Sequence, residues 1–243
     1  MNNRLLLVID TTICGVLVGL ARWDLQNQVS KCLGFRYSSS TGSSSSKLPE
    51  TVEELLESFG HSVQDLDSVL VSEGPGSFTG IKVGIAFAQG LRAGGLKSLE
   101  GFSTFRMLAE KSLMTGMPLV LPMTKTSGFV GCAVDGEMKI YLLVIEKGGA
   151  TSRCEDEVRE GLPEPLNRKG SVVRCIAPWS QLEEFASGKF QITYDWVFDK
   201  MSEWIIETAV EKVSHGNRLG DREVKPQYLR KSAPEEKLDE SKS

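Results

Sequence analysis

The stretch Val69-Leu70-Val71-Ser72-Glu73-Gly74-Pro75-Gly76-Ser77-Phe78-Thr79-Gly80-Ile81-Lys82-Val83-Gly84-Ile85-Ala86-Phe87-Ala88-Gln89-Gly90 decides how the rest of the chain is read. An apolar, β-branched run meets a Gly-Pro-Gly turn, and Ser77 stands at the N-cap of a segment with helical apolar spacing. Strand, tight turn and helix in that order aim free backbone N–H groups at the turn, a geometry that suits an anion. Two phosphate motifs come close. A P-loop needs Gly-Lys-Ser/Thr at its end, but Lys82 falls two residues after Gly80 and Val83 stands where the hydroxyl belongs. One residue of helix turns a side chain by about 100°, so this lysine points elsewhere. The dinucleotide fingerprint needs G-x-G-x-x-G. Here Gly74-x-Gly76-x-x-x-Gly80 is one residue longer, although Glu100 follows at the interval of a ribose-binding acid. A nucleotide- or dinucleotide-dependent enzyme using the Gly74–Gly80 loop is the alternative reading, and a tight turn with no ligand is the plain one.

The helix that follows is unusual. Ile81, Ile85 and Ala88 fall on one face, and Val83, Phe87 and Leu91 on another. Gly76, Gly80, Gly84 and Ala88 recur every four residues. An interior glycine costs about 1 kcal/mol of helix propensity relative to alanine, so the row signals a backbone that must come close. The expectation is a helix covered on both sides, by its own sheet and by a helix of another chain.

A chain of 243 residues can bury a good core as one large domain or two small lobes. Its net charge of -4 argues against a strongly basic nucleic-acid groove. Cys14, Cys32, Cys132, Cys154 and Cys175 are odd in number and form no C-x-x-C pair, so neither a disulfide framework nor a zinc site is suggested. Reduced thiols in a cytoplasm fit this pattern. No apolar run has the length of a signal-peptide core or a membrane span. The only histidines, His61 and His215, are far apart at helix ends, which leaves little for a metal site or a Ser-His-Asp triad.

Apolar spacing predicts strands over Leu5–Ile9, Val16–Trp23 and Gln28–Tyr37, then a flexible Ser38–Ser46 run. A helix opens at Pro49 with Leu48, Val52, Leu55, Leu56 and Phe59 on one face. The strand Val69–Val71, the loop and its helix, a short strand at Leu99 and a helix over Phe102–Met114 complete a first block. A second block follows Met117-Pro118: strands over Leu119–Met123, Phe129–Val134 and Lys139–Glu146, with Asp135-Gly136 as a hairpin turn. Gly148–Asn167 reads as turn-rich with little burial, Ser171–Ile176 as a strand, Trp179–Ala186 as a short helix and Asp195–Val213 as the longest helix. From Arg230 on, the composition reads as a loose tail. Three strands and then alternating helices and strands, twice over, is a duplicated α/β unit.

Asp10-Thr11-Thr12 after the first strand, the Gly74-Pro75-Gly76-Ser77-Phe78-Thr79-Gly80 motif, the helix ending near Gln89-Gly90-Leu91, and Pro226-x-Tyr228-Leu229-Arg230 resemble the bacterial TsaB (YeaZ) family. The resemblance is close over the first 110 residues and at the Tyr-Leu-Arg end, and loose between them. It implies a two-lobed actin/Hsp70-like ATPase (ASKHA) fold, each lobe a mixed sheet flanked by helices. The lobes would be residues 1–103 and 104–230, with the last helix free to pack back on the first lobe and 231–243 a disordered tail.

The resemblance also implies a non-catalytic subunit that forms a heterodimer with the transferase TsaD and works with the ATPase TsaE. The complex makes threonylcarbamoyl adenosine at position 37 of tRNAs that read ANN codons. The chain would meet tRNA only through the complex and would pair with itself when alone. It implies no catalytic, metal or cofactor residues here, and leaves open a nucleotide at the TsaD junction. Asp10 would be structural, because the glycine that brings backbone to a phosphate in that loop is missing. The surface for the partner would be Leu55, Phe59, Gly76, Ser77, Phe78, Gly80, Ile81, Gly84, Ile85 and Ala88. Two segments depart from the family: Ser38–Ser46 with Leu48-Pro49-Glu50, where a His-Ser-Glu-like stretch is usual, and Thr124-Lys125-Thr126-Ser127, where Asp-Ala-Arg is usual.

Overall fold

Nearly unbroken burial along Asn3–Asp10 (β1) and Val16–Asp24 (β2) leaves both faces of these strands largely without contact to water. A sheet of that kind needs helices on both sides. The computed structural model of the chain supplies them, and describes residues 3–13, 15–38, 44–114, 116–146, 149–154, 157–168, 170–177, 179–194, 201–214 and 224–228. Cys14, most of the Ser38–Ser46 run, the start of the last predicted helix, His215, Leu229, Arg230 and the tail lie outside the described residues.

The first sheet has five strands in the order β3-β2-β1-β4-β5. β1, β2 and Val29–Ser38 (β3) form an antiparallel meander, and Ser68–Ser72 (β4) and Ser98–Phe102 (β5) run parallel to β1. Helix α1 (Ser44–Ser58) connects β3 to β4, and α2 (Phe78–Ala93) connects β4 to β5. A parallel pair needs a long crossover, which these helices provide. Helix α1 begins at Ser44, inside the run read as flexible, and continues through Pro49.

Leu5, Leu7, Ile9, Val18, Leu20, Val69 and Val71 point to one face, where they form a core with Val52, Leu55 and Leu56 of α1 and Ile81, Ile85 and Ala88 of α2. The opposite face receives α6 (Ser202–Ser214), the last helix in sequence. Its Ile206 is fully buried and lies where a Cβ on Gly19 would sit, 2.2 Å from Cδ1. The Glu207 carboxylate of α6 accepts the Cys32 N–H at 3.0 Å, and the Ser30 hydroxyl donates to Glu211 at 3.0 Å. Burial, with Glu203 and Glu207 nearby, pushes the Cys32 thiol up to about 11, which makes it a packed thiol rather than a reactive one.

The second sheet repeats the plan. Leu119–Pro122 (β6), Ser127–Val134 (β7) and Glu137–Glu146 (β8) form the antiparallel meander, and Val172–Cys175 (β11) and Gln191–Thr193 (β12) run parallel to β6 and β11. Helices α4 (Glu164–Asn167) and α5 (Ser180–Ala186) take the places of α1 and α2. The region read as turn-rich holds two further strands, Gly149–Cys154 (β9) and Glu157–Glu160 (β10), which extend the sheet beyond β8. Their side chains are largely exposed, Val158 at 63%, so no apolar alternation marks them in the sequence. The order β10-β9-β8-β7-β6-β11-β12 otherwise matches the first sheet strand for strand.

The chain divides into two compact units, Met1–Met107 with Val197–Pro226, and Leu108–Trp196 with Gln227–Ser243. The division falls inside α3 (Thr104–Leu113), and α6 goes with the first unit. Among the described residues no helix is long and apolar enough to cross a membrane.

The seating of α6 has a direct test. Gly19→Ala should destabilise the protein by about 1–3 kcal/mol through overpacking, and adding Ile206→Val should recover part of that loss in urea unfolding. Strictly additive effects would show that α6 does not rest on β2.

Candidate functional site

The glycine-rich loop between β4 and α2 meets the turn between β1 and β2. The Ser77 N–H donates to the Thr12 carbonyl at 2.6 Å, and the Thr11 hydroxyl donates to the Gly80 carbonyl at 2.7 Å. Ser77 caps α2 by accepting the Gly80 N–H at 3.2 Å. Gly74 at φ +102° makes the turn that brings these groups together.

The glycines of α2 explain the closeness. A Cβ on Gly80 would lie 1.8 Å from the Thr11 carbonyl oxygen, and one on Gly76 would lie 2.2 Å from that of Thr12. At Gly84 it would lie 2.5 Å from the Thr11 hydroxyl and 3.4 Å from Val71. The small-residue row is therefore turned into the chain's own first unit. The residues expected from the sequence to form the partner surface are therefore placed as follows. Leu55, Gly80, Ile81, Gly84, Ile85 and Ala88 are buried in the isolated chain, because the row packs on the Thr11-Thr12 turn and the neighbouring apolar positions enter the core. Gly76, Ser77 and Phe78 are half-buried at the loop. Phe59 is 40% exposed, with its ring lying over Gly34. The side of α2 that remains open carries Thr79, Lys82 and Ala86, with Lys82 set 4.1 Å above the Phe78 ring.

Beneath the loop lies a cluster of hydroxyls around a buried acid. Asp10 is 2% exposed, and its Oδ1 accepts the Thr12 N–H at 2.6 Å and the Thr12 hydroxyl at 2.8 Å. Thr12 meets Ser72 at 3.1 Å, and the Thr104 hydroxyl donates to Ser72 at 3.3 Å. The other Asp10 oxygen, Oδ2, is buried without a hydrogen bond of its own. Burial pushes the Asp10 carboxyl above its ordinary range, against the opposing pull of Thr104 and Thr12. Next to the loop, the Glu73 side chain folds over Gly101 and accepts the Lys225 N–H at 2.7 Å. This holds Lys225, just before Pro226, and its neighbour Val224 enters the first core.

The loop is filled by contacts within the chain. The N–H groups of Ser77, Gly80 and Ile81 donate within the chain, and the space the glycines leave is filled by the Thr11 and Thr12 carbonyls. Carbonyl oxygens repel an anion. Among the described residues no three His, Cys, Asp or Glu side chains gather as metal ligands would. Glu100, the candidate ribose acid, pairs with Leu70 in mid-strand rather than at the strand end beside the loop, so the dinucleotide reading loses its acid.

The second unit has an equivalent turn, between β6 and β7. The Thr124 hydroxyl accepts the N–H groups of Thr126 and Ser127 at 3.3 and 3.0 Å, as Asp10 accepts that of Thr12. The Trp179 indole N–H donates to the Lys125 carbonyl at 2.7 Å. A hydroxyl thus does in the second turn what a carboxylate does in the first. The sequence reading did not single out Thr104 or Ser72 as partners of Asp10, because their link to it is made only by the sheet.

Two mixed sheets of one plan, each flanked by helices, with the β1–β2 and β4–α2 turns in contact, define an actin/Hsp70-like fold. A protein from Pseudomonas aeruginosa described by its similarity to peptidase YeaZ shares it, with a TM-score of 0.61 and 18% identity over 93% of this chain and 100% of that one. YeaZ from the same organism gives 0.58 and 16% over the same shares. The family model described as TsaD, tRNA N6-adenosine threonylcarbamoyltransferase, matches residues 34–162, just over half of the chain, and the chain belongs to that family; its likeness to TsaB and YeaZ supports the resemblance read from the sequence. The Escherichia coli (strain K12) TsaB, a tRNA threonylcarbamoyladenosine biosynthesis protein, is 39% identical over 59 residues, 24% of this chain and 26% of that protein. The tRNA N6-adenosine threonylcarbamoyltransferase of Chlamydia felis (strain Fe/C-56) is 26% identical over 194 residues, 76% of this chain. The chain spans about half the length of that transferase, 53%.

Two measurements check the site. Gly80→Ala should destabilise the protein strongly, because backbone must move. Gly90→Ala, where nothing lies within 4 Å of the added Cβ, should stabilise it by up to about 1 kcal/mol. The raised Asp10 carboxyl works against folding when charged. Its stability contribution is fully present below the unfolded value and is lost as pH rises through the higher folded value. Asp10→Asn should therefore flatten the fall in stability between acid and neutral pH in urea titrations. An unchanged pH profile would show that Asp10 does not titrate in the folded cluster.

Proposed function

We propose that the chain is a non-catalytic subunit in the synthesis of threonylcarbamoyl adenosine at position 37 of tRNAs that read ANN codons, working as the partner of a TsaD-type transferase. The observation that carries this reading is the closed loop. A chain of the TsaD family whose glycine loop is filled by its own Thr11 and Thr12 carbonyls keeps the frame of the fold without the cradle. The likeness to TsaB over 59 residues supports the assignment to the partner rather than to the transferase. The partner would be met through the exposed side of α1 and α2, with a TsaE-type ATPase completing the complex and tRNA reached only through it.

The match to the Chlamydia felis transferase over 194 residues favours a second reading, in which this chain itself carries the transfer. Against it stand the absence of a metal-ligand cluster among the described residues and the hydroxyl-only turn at Thr124–Ser127.

Transfer assayed with the purified chain, the TsaD-type subunit of the same organism, tRNA and the threonylcarbamoyl donor decides between them. No product is expected from the chain alone and none from the pair after the α1–α2 contact is blocked, whereas the intact mixture should be active. Product from the chain alone, free of other subunits, would support the second reading and overturn the first.

A further inference from the structure

The segment Val224-Lys225-Pro226-Gln227-Tyr228 is remote from the Gly74–Gly80 loop in sequence and beside it in the fold. Pro226 has no N–H to give and biases Lys225 towards extended backbone. Residues 224–228 accordingly form neither helix nor strand. Lys225, Pro226, Gln227 and Tyr228 are exposed, whereas Val224 is buried. A stretch so open to water keeps one path only where particular contacts hold it.

Two contacts tie it to the strand, turn and helix that carry the loop. Val224 enters the core that contains Val71 of β4, Leu99 of β5, and Ile81 and Ile85 of α2. One residue on, the Lys225 N–H donates to the Glu73 carboxylate at 2.7 Å. Glu73 follows β4 directly and precedes Gly74. Its own N–H donates to the Phe102 carbonyl at 2.7 Å, and its carboxylate lies in the space that a side chain at Gly101 would need. Burial pushes the Glu73 carboxyl above its ordinary range and the Lys225 N–H pulls it down, and among the described residues no charged side chain adds to either. A half-buried carboxylate needs a donor, and the segment supplies one.

We propose that residues 224–226 form a strap, latched by Glu73 across the carboxyl ends of β4 and β5, that keeps the loop and α2 in the arrangement a partner meets. Latched, the strap fixes the residue from which the loop springs and completes the core beneath α2. Released, Glu73 turns to water, Val224 leaves the core, and the loop loses its hold at that end. The chain passes into the second unit directly after Pro226, so the latch stands at a crossing of the chain between the units. The inference rests on the reading of the chain as the partner of a TsaD-type subunit and adds a control on that contact.

The test compares the full-length wild type with Glu73→Ala, which removes the acceptor, and Glu73→Gln, whose side-chain oxygen still accepts. Amide exchange is read at Lys225 and Ser77, and affinity for the TsaD-type subunit of the same organism is measured by titration. In Glu73→Ala the Lys225 amide should exchange about ten- to a hundredfold faster, the range of a hydrogen bond to a charged acceptor. The Ser77 amide should speed up with it, and the affinity should fall about tenfold, a usual size for coupling between sites. Glu73→Gln should recover most of all three. Unaltered far-ultraviolet circular dichroism shows that both variants are folded. A Lys225 amide as slow in Glu73→Ala as in the wild type would overturn the latch. A faster Lys225 amide with Ser77 and the affinity unchanged would reduce the contact to a local hydrogen bond and overturn the strap's control of the loop. A wild type that does not bind the TsaD-type subunit would overturn the functional reading instead, and the two amides would still decide the strap.

Discussion

The first unit is organised by one close approach. The N-terminal half of α2 comes so near the β1–β2 turn that the carbonyl oxygens of Thr11 and Thr12 occupy the places that side chains at 80 and 76 would need. Glycine there is a packing requirement, and it fixes the helix over β1 and β4. Once α2 is so placed, Ile81, Ile85 and Ala88 must enter the core, and α1 must lie beside α2 to cover the rest of that sheet face. The open sides of the two helices then form an apolar groove with an acidic rim. The close approach at Gly76 and Gly80 thus also decides which sides of α1 and α2 are left open.

The duplication shows what has been kept and what has changed. Both units build a meander, add two parallel strands and cross over with helices on the same plan. In both, the turn after the first strand is braced by a side-chain oxygen accepting the N–H two residues on, Asp10 to Thr12 and Thr124 to Thr126. The first turn keeps a carboxylate, now buried among hydroxyls, and the second has none. Most polar groups of the two turns are satisfied within the chain, Asp10 Oδ2 excepted.

Much of this was legible in the sequence. The strand–turn–helix at Val69–Gly90 and the two meanders have strong apolar periodicity, and their order announces the duplication. The every-fourth small residue was also legible as a sign of close approach. Which backbone approached was not, because helical spacing gives a face but not its neighbour. The row closes on Thr11 and Thr12, which lie about seventy residues earlier in the chain, and that pairing follows only from β1 lying beside β4. Strands β9 and β10 left no mark because most of their side chains are exposed and their pairing is held by the ladder to β8. The seating of α6 on the first sheet depends on Gly19 and Ile206, a pair that no local pattern connects.

Amide hydrogen exchange at Ser77 tests the closed loop most directly. Its N–H donates to the Thr12 carbonyl inside the chain, so exchange should be slow, comparable with the central strands β1 and β4, and unchanged by ATP with magnesium. A fast amide at Ser77 that becomes protected when the nucleotide is added would mean that the loop opens to a phosphate, and the account of a self-filled cradle would be wrong.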